Sequence, residues 1–138
     1  MTFVLDASII LKWFVEDEMS READSLLDRT RSEGALVPAL FRWEAQSVLT
    51  RAAIDSRITE SLVDAALEEL AALPIVVDHP GAKLIFGGES TLALTYDITP
   101  YDAAYLALAL DHRIALATAD QDLRRAAHDA EVQVIYVK

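Results

Sequence analysis

The sequence predicts an α/β fold in three layers, in which a central, mostly parallel sheet of five strands is flanked by helices. Short β-branched or apolar runs alternate along the chain with longer segments of helical periodicity. The chain contains no repeat, no low-complexity tract and no linker rich in Gly, Ser or Pro. Alternation of this kind is typical of parallel sheets whose connecting helices cover both faces.

Five short runs have the composition of strands. They are "FVL", "ALV", "PIVV", "IALA" and "VQVIYV", at residues 3–5, 35–37, 74–77, 114–117 and 132–137. Helices are predicted at residues 20–32, 38–55, 59–73, 82–96, 99–111 and 120–129. Gly34 is a stop signal, and Pro38 and Pro100 suit first helical turns, where the backbone N–H has no intrahelical partner. The pair Gly87-Gly88 is a candidate break in the fourth helix.

Length and composition predict a single domain over residues 1–138. A chain of 138 residues with 53% hydrophobic content can bury one sizeable core but not two. Because there is no cysteine, a disulfide framework and a thiolate metal site are both excluded. The opening "MTFVLDAS" has no basic residue, and the longest uncharged apolar stretch, residues 103–110, is too short to span a bilayer. We therefore expect a soluble, cytoplasmic protein.

The formal net charge of −11 argues against binding to a polyanion such as nucleic acid. Most of the 23 acidic residues are expected to serve solubility. Clustered carboxylates, however, are tolerable only where cations neutralise them or where some of them stay protonated. Part of the acidity can therefore belong to a metal site, which would attract phosphate locally.

Acidic residues follow three of the predicted strands. In parallel sheets ligands bind outside the carboxyl ends of the strands. Asp6 directly follows the first strand and Asp120 closely follows the fourth, so both are expected at the same end of the sheet. Asp78 follows the third strand in the same way. Position alone does not identify a functional pair, because an Asp after a strand is commonly a helix N-cap or a turn residue.

Asp102 lies in the first turn of a helix that Thr99 caps and Pro100 begins. This position favours the helix dipole and can explain the residue on structural grounds alone. The following residues, 103–110, are apolar all round the helix, which predicts that the helix is packed centrally with its N-terminus near the sheet. Asp102 is therefore also a candidate to face the same end of the sheet as Asp6.

Glu44 lies on a helical stripe that is otherwise apolar. In the helix predicted from Pro38, Leu40, Glu44 and Val48 fall on one line. No Lys or Arg is three or four residues away from Glu44. The carboxylate is therefore expected either to reach the edge of the stripe or to have an internal partner such as a metal.

Convergence of these acids in one pocket would require cations. Carboxylate oxygens suit Mg²⁺ or Mn²⁺, which bind through a few carboxylates and through phosphate oxygens of the substrate. Such a metal can deprotonate water for in-line attack on a phosphodiester. The sequence thus favours phosphodiester chemistry if the acids meet.

Four segments of the chain resemble the motif regions of PIN-domain proteins, in particular the toxins of VapBC toxin–antitoxin pairs. In chain order they are "FVLDASIILKWF", "LVPALFRWEAQSVLTRA", "ITPYDAAYLALAL" and "IALATADQDLRRAA". The resemblance covers essentially the whole chain. Its most specific part is "YDAAYLALA" followed by "TADQDL". The stretch "FGGEST" departs from the family pattern, because relatives have a more regular helix there. It implies a PIN-like fold and a Mg²⁺- or Mn²⁺-dependent endoribonuclease. It also implies a cognate VapB-like antitoxin that inhibits the enzyme, and a homodimer.

The resemblance also assigns site residues. The family's acidic quartet, expected to be both catalytic and metal-binding, falls on Asp6, Glu44, Asp102 and Asp120. The resemblance implies that the three aspartates hold the metal directly or through water, and that Glu44 is a ligand or orients the attacking water. Auxiliary positions are the hydroxyls of Ser8 and Thr118 and the additional carboxylate of Asp122.

Basic and aromatic residues near these motifs are candidates for binding partners. Four arginines can guide RNA or can simply belong to solvated helix faces: Arg51, Arg57, Arg124 and Arg125. Four aromatic residues can line a groove for an apolar antitoxin segment or can belong to the core: Trp13, Phe14, Phe41 and Trp43.

Two alternatives stay open. A receiver-like phospho-acceptor domain also has a parallel sheet, and here Asp78, Thr118 and Lys138 would take its roles. That site needs two adjacent acids after the first strand, whereas Asp6 is followed by Ala-Ser. A catalytically inactive PIN-fold binding domain is the second alternative, and the completeness of the acidic quartet argues against it.

Overall fold

Five parallel strands form the sheet in the computed structural model, which describes residues 2–79 and 86–138. The strands are β1 (Phe3–Leu5), β2 (Ala35–Val37), β3 (Ile75–Val77), β4 (Leu116–Thr118) and β5 (Val134–Tyr136). Their order is β3-β2-β1-β4-β5, and each neighbouring pair is parallel. The predicted α/β fold with a five-stranded sheet is confirmed, although β4 begins two residues later than predicted.

Seven α-helices connect the strands in the described part of the chain. They are α1 (Ile9–Phe14), α2 (Arg21–Glu33), α3 (Phe41–Ile54), α4 (Glu60–Ala72), α5 (Glu89–Tyr96), α6 (Pro100–His112) and α7 (Gln121–Asp129). A short 3₁₀ helix, Glu16–Glu18, follows α1. The helices α2, α4, α6 and α7 match their predicted ranges to within about two residues, the usual uncertainty of helix ends. None of the helices in this part of the chain combines the length and hydrophobicity that crossing a bilayer requires.

Three of the observed helices differ from the predictions. Helix α1 was not predicted, because its six residues are largely apolar and show no amphipathic period. Helix α3 begins at Phe41, so Pro38 precedes it, and a turn in which Phe41 N donates to Pro38 O leads into the helix. Helix α5 begins only at Glu89, after Gly88 at its N-cap. The candidate break therefore coincides with the start of the helix, and residues 82–85 of the predicted range lie outside the described residues.

The central strands are covered on both faces. All three residues of β1 and all three of β4 are buried, although neighbouring side chains in a strand point to opposite faces. Helix α6 packs against both β1 and β4. Its residues Tyr105 and Leu106 are fully buried, which confirms that the apolar helix is central.

The strand order reverses beside β1. The chain places β2 and β3 on one side of β1, and then crosses to place β4 and β5 on the other side. Asp6 N donates to Ala117 O at 2.9 Å, which joins the carboxyl ends of β1 and β4. A reversal of this kind opens the crevice in which ligands bind in parallel sheets. Residues at the ends of β1 and β4 therefore have the geometry of a binding site.

The packing of α6 gives a stability prediction. Leu106→Ala should lower the free energy of unfolding by about 3 kcal/mol, because it leaves a cavity in a fully buried site. Leu110→Ala on the same helix, at a side chain that is 37% exposed, should cost less than about 1 kcal/mol. Urea unfolding measures both values. Equal losses would contradict the central placement of this helix face.

Candidate active site

Asp6 is a buried carboxylate at the end of the central strand. Its side chain is 4% exposed, and Oδ2 accepts hydrogen bonds from Ser8 Oγ at 2.5 Å and from Thr118 Oγ1 at 2.8 Å. Oδ1 accepts no hydrogen bond from the described residues and retains access to solvent. One oxygen of Asp6 is thus held inside the fold, while the other is available to a ligand.

The two hydroxyl groups join the segments that follow β1 and β4. Ser8 Oγ accepts a hydrogen bond from Ala119 N at 2.9 Å, and Thr118 Oγ1 accepts one from Asp120 N at 3.0 Å. Because each oxygen already accepts from a backbone N–H, its own proton is free to be donated to Asp6. The sequence placed Ser8 and Thr118 at auxiliary positions, and the structure brings both against Asp6.

Asp120 and Asp102 both stand at helix N-termini. Asp120 is the N-cap of α7, and its Oδ1 accepts from Leu123 N at 2.9 Å. Asp102 lies in the first turn of α6, where Thr99 Oγ1 accepts from Asp102 N at 3.1 Å. The structural roles considered for these residues are therefore present. The capping hydrogen bonds leave the carboxylate of Asp102 without a hydrogen-bond partner among the described residues.

Glu44 has an internal partner that sequence reasoning missed. Tyr105 Oη donates a hydrogen bond to Glu44 Oε1 at 2.6 Å. Burial, followed by the bond to Glu44, raises the pKa of Tyr105, so the phenol stays protonated and continues to donate. Tyr105 is three residues after Asp102 on α6, a spacing that puts both on one helix face. The sequence shows this spacing, but Tyr105 lies within an apolar run and therefore resembles an ordinary core residue.

The acids of the quartet lie near enough to one another for their charges to raise the pKa values of Asp6 and Asp102. Burial raises the pKa of Asp6, the hydroxyls of Ser8 and Thr118 lower it, and the charges of Glu44 and Asp120 raise it again. Burial and, after it, the charges of Asp120, Asp6, Glu44 and Asp122 together raise the pKa of Asp102 to about 7. No basic side chain in the described residues forms an ion pair with any member of the quartet. The site therefore carries uncompensated negative charge.

The chemistry of the site suits a hard cation, but the side chains do not form a complete ligand cage. Among residues 2–79 and 86–138, no three acidic or imidazole side chains lie in an arrangement that could hold a metal ion. Mg²⁺ commonly keeps several waters and uses only one or two carboxylates together with substrate phosphates. The all-oxygen donor set and the unpaired charge fit such an ion. Direct ligation by Asp6, Asp102 and Asp120 together stays a prediction.

Comparison with known proteins identifies the family. Residues 3–129 match the PIN domain family. This chain belongs to the PIN-domain family. It is also similar to Ribonuclease VapC3 of Mycobacterium tuberculosis, with 35% identity over 129 residues. The matched region covers 89% of this chain and 85% of the relative, and the match is the same for the protein of two strains.

Solved structures agree with the fold of this PIN domain. PAE2754 from Pyrobaculum aerophilum superposes with a TM-score of 0.68 at 20% identity, covering 99% of this chain and 84% of the other. FitAcB from Neisseria gonorrhoeae gives a TM-score of 0.62 at 20% identity and covers 97% and 96%. At this level of identity the similarity establishes the fold alone.

The topology of this PIN domain excludes the receiver-like alternative. β3, which precedes Asp78, is separated from β4 by both β2 and β1. With strands about 4.8 Å apart, Asp78 and Thr118 stand on strands roughly 14 Å apart. Lys138 follows β5 at the opposite edge of the sheet. The three residues therefore do not form one phospho-acceptor site.

Three of the four aromatic residues proposed to line a groove belong to the core. Trp13, Phe14 and Phe41 are buried, and Trp13 Nε1 donates to Ala23 O at 2.9 Å. These side chains pack inward because they are part of the hydrophobic core cluster. The groove interpretation is therefore wrong for these three residues. Trp43, by contrast, is 61% exposed and stands next to Glu44.

The four arginine candidates differ in their surroundings. Arg57 pairs with Asp17 and Glu18, at 3.1 and 3.2 Å, and is thus committed to the 3₁₀ helix. Arg51 is exposed and forms no ion pair within the described residues. The other two lie on α7: Arg124 stacks on Tyr136, and Arg125 donates to the backbone oxygens of residues 96 and 97. Asp122, also on α7, is exposed and lies 3.9 Å from Arg125.

The raised pKa of Asp102 predicts a pH-dependent stability. Without metal, the folded protein keeps the Asp102 proton up to about pH 7, whereas the unfolded chain loses it near 3.8. The stabilisation from this extra proton is complete below pH 3.8 and is lost as the pH rises through 7. In chelator, Asp102→Asn should therefore raise the melting temperature relative to wild type at pH 8, and raise it less at pH 5.

Asp64→Asn, the same change at an exposed position of α4 with no ion pair among the described residues, is the matched control for thermal unfolding at both pH values. An Asp102→Asn effect that is equal at pH 5 and pH 8 would contradict the raised pKa of Asp102.

The hydrogen bond to Glu44 gives a second prediction. Tyr105→Phe should lower the free energy of unfolding by about 1 kcal/mol, because a part-buried carboxylate oxygen loses its donor. Tyr101→Phe, at an exposed position of the same helix, should change it by less than about 0.5 kcal/mol. Urea unfolding distinguishes the two, and a neutral Tyr105→Phe would show that the bond contributes nothing.

Proposed function

We propose that this PIN domain is a metal-dependent endoribonuclease and the toxin of a type II toxin–antitoxin pair. Its substrate is RNA, and its reaction is hydrolysis of a phosphodiester bond by water. The main support is the convergence of acids from four separate segments at the strand-order reversal, with no basic partner among the described residues. The 35% identity to a protein named Ribonuclease VapC3 supports the same function.

Asp6, Asp102 and Asp120 would hold Mg²⁺ or Mn²⁺, directly or through water. When bound, such an ion supplies a nucleophile by lowering the pKa of water, and it neutralises charge on the phosphate. Asp6 offers its free Oδ1, because Oδ2 is occupied by two hydroxyls. Asp102 is mounted on the buried helix α6. Asp120 is oriented by its capping bond to α7.

Glu44 is the residue that orients water in this proposal. The hydrogen bond from Tyr105 occupies Oε1, so Oε2 remains to accept a hydrogen bond from the attacking water. The carboxylate does not need to bind the metal for this role. Asp122 at the rim adds negative charge and is an auxiliary residue.

The acidity of the protein is compatible with RNA binding under this proposal. The formal charge of −11 repels a polyanion in general, and the quartet adds to this repulsion at the site, where a bound divalent cation would reduce it. Binding of RNA and binding of metal should therefore be coupled, because each supplies charge that the other requires.

The proposal includes a VapB-like antitoxin and a homodimer. Two exposed aromatic residues, Trp43 and Tyr101, directly precede Glu44 and Asp102 in the sequence. Exposed aromatic side chains suit the binding of an apolar antitoxin segment. Co-expression with the product of a neighbouring short reading frame, followed by size-exclusion chromatography, tests both the complex and the dimer.

The activity prediction is specific to the placed acids. Purified protein should cleave single-stranded RNA with Mg²⁺ or Mn²⁺, leave 5′-phosphate and 3′-hydroxyl ends, and stop with chelator. Asp6→Asn and Asp102→Asn should each reduce the rate at least about 100-fold, because each removes a charged oxygen from the site. The rate is measured on labelled RNA, and thermal unfolding confirms that the variants are folded.

Asp78→Asn is the matched control and should retain activity within about twofold, since Asp78 lies at the far edge of the sheet. Cleavage that persists in chelator and in both quartet variants would refute the metal-dependent mechanism. Folded wild-type protein with no cleavage of any RNA would instead support the inactive PIN-fold binding domain.

A further inference from the structure

A groove between α7 and the edge strand β5 begins beside the quartet. It has a volume of about 600 Å³, within the range of pockets that hold nucleotide-sized ligands. Its polar lining residues are Gln121, Arg124, Arg125, His128, Gln133 and Tyr136. None of the described residues that line it is acidic, although the chain carries a net charge of −11. The ionisable side chains of the lining are thus mainly basic, although Asp122 and Asp129 lie beside Arg125 and His128, at 3.9 and 3.4 Å.

The groove lies close to the candidate active site. Tyr136 pairs in register with Thr118, so these residues lie on neighbouring strands about 5 Å apart and point to the same face. Thr118 donates the hydrogen bond to Asp6. At the helix side, Gln121 directly follows Asp120. An RNA chain that passes the carboxyl end of β4 from the quartet would therefore reach the groove.

An aromatic ring and a guanidinium form a stacking platform in the groove. The Arg124 guanidinium lies 4.2 Å from the centroid of the Tyr136 ring, in cation–π contact. This contact holds the guanidinium over the ring, and Arg124 is otherwise exposed. Unpaired RNA bases stack on aromatic rings and on guanidinium planes. The pair thus offers a preformed surface for one base.

The free edge of β5 adds backbone donors. Gln133 O accepts from Leu116 N, and Val137 N donates to Thr118 O, so the backbone of these residues faces β4. In a parallel strand the intervening residues direct their N–H and C=O groups the other way. Val134 and Tyr136 therefore present backbone N–H groups at the open edge, next to the cationic side chains.

We propose that this α7–β5 groove binds the RNA segment adjoining the phosphodiester that is cleaved, with one base stacked on Arg124 and the neighbouring phosphates held by Arg125 and His128. The inference rests on the proposed ribonuclease function and assigns the path of its substrate. An acidic peptide that extends the sheet is less suited, because β5 has only three residues and the groove displays a stacking platform. RNA is therefore the occupant that the lining favours.

Binding is tested without cleavage, in the Asp102→Asn background with Mg²⁺, by fluorescence anisotropy of a labelled single-stranded RNA of mixed sequence. Arg124→Ala should raise Kd about tenfold and should lower the salt dependence of log Kd by about one. Gln133→Glu, an exposed change that places a negative charge in the groove, should also weaken binding several-fold. Arg21→Ala removes one exposed positive charge from α2, outside the groove, and should leave Kd within about twofold.

Cleavage kinetics separate this inference from the proposed function. In the otherwise wild-type protein, Arg124→Ala should raise KM for RNA and leave kcat within about twofold. Active protein whose KM, Kd and salt dependence are unaffected by Arg124→Ala and Gln133→Glu would overturn the groove while leaving the ribonuclease proposal standing. Amide shifts of Val134 and Tyr136 in NMR that respond to an acidic peptide and not to RNA would overturn it as well.

Discussion

The buried carboxylate of Asp6 is the constraint on which the site depends. Burying a charge is costly unless hydrogen bonds replace the lost water, and here two hydroxyls do so from opposite sides of the β1–β4 junction. Thr118 can reach Asp6 only because β4 lies next to β1. The same hydroxyls also bind backbone N–H groups of the segment that leads to Asp120. The arrangement of the site therefore depends on the strand order, and the hydrogen bonds of the site in turn join these neighbouring strands.

The other three acids are held in place by interactions that also stabilise the fold. Asp120 caps α7, and Asp102 occupies the first turn of α6, where a negative charge also favours the helix dipole. Tyr105 fixes Glu44 to the same buried helix. Attachment to rigid helices suits a catalytic role, because a catalytic group must hold its position while the substrate reacts. The structural and the chemical explanations of Asp102 are consequently compatible.

The unpaired negative charge of the quartet destabilises the fold locally, and the rest of the fold compensates for this loss of stability. Repulsion and burial together raise the pKa of Asp102 to about 7, a perturbation that stable folds tolerate mainly at functional sites. The large buried core around β1 and α6 can bear this cost. Under the two proposals made above, cationic side chains of the groove would contact the flanking phosphates, whereas a bound metal would contact the reacting one.

The sequence by itself determined the α/β class, the five strands and the four acids as candidates, because period, turn residues and strand-end positions are local signals. It did not determine α1, whose short apolar run has no helical period, nor the start of α3, since Pro38 also fits the turn that precedes a helix. Only the tertiary structure decided that Tyr105 binds Glu44, that Trp13 and Phe41 are core, and that Asp78 is remote from Thr118. Each of these depends on contacts between distant segments, which the packing of helices and the order of strands create.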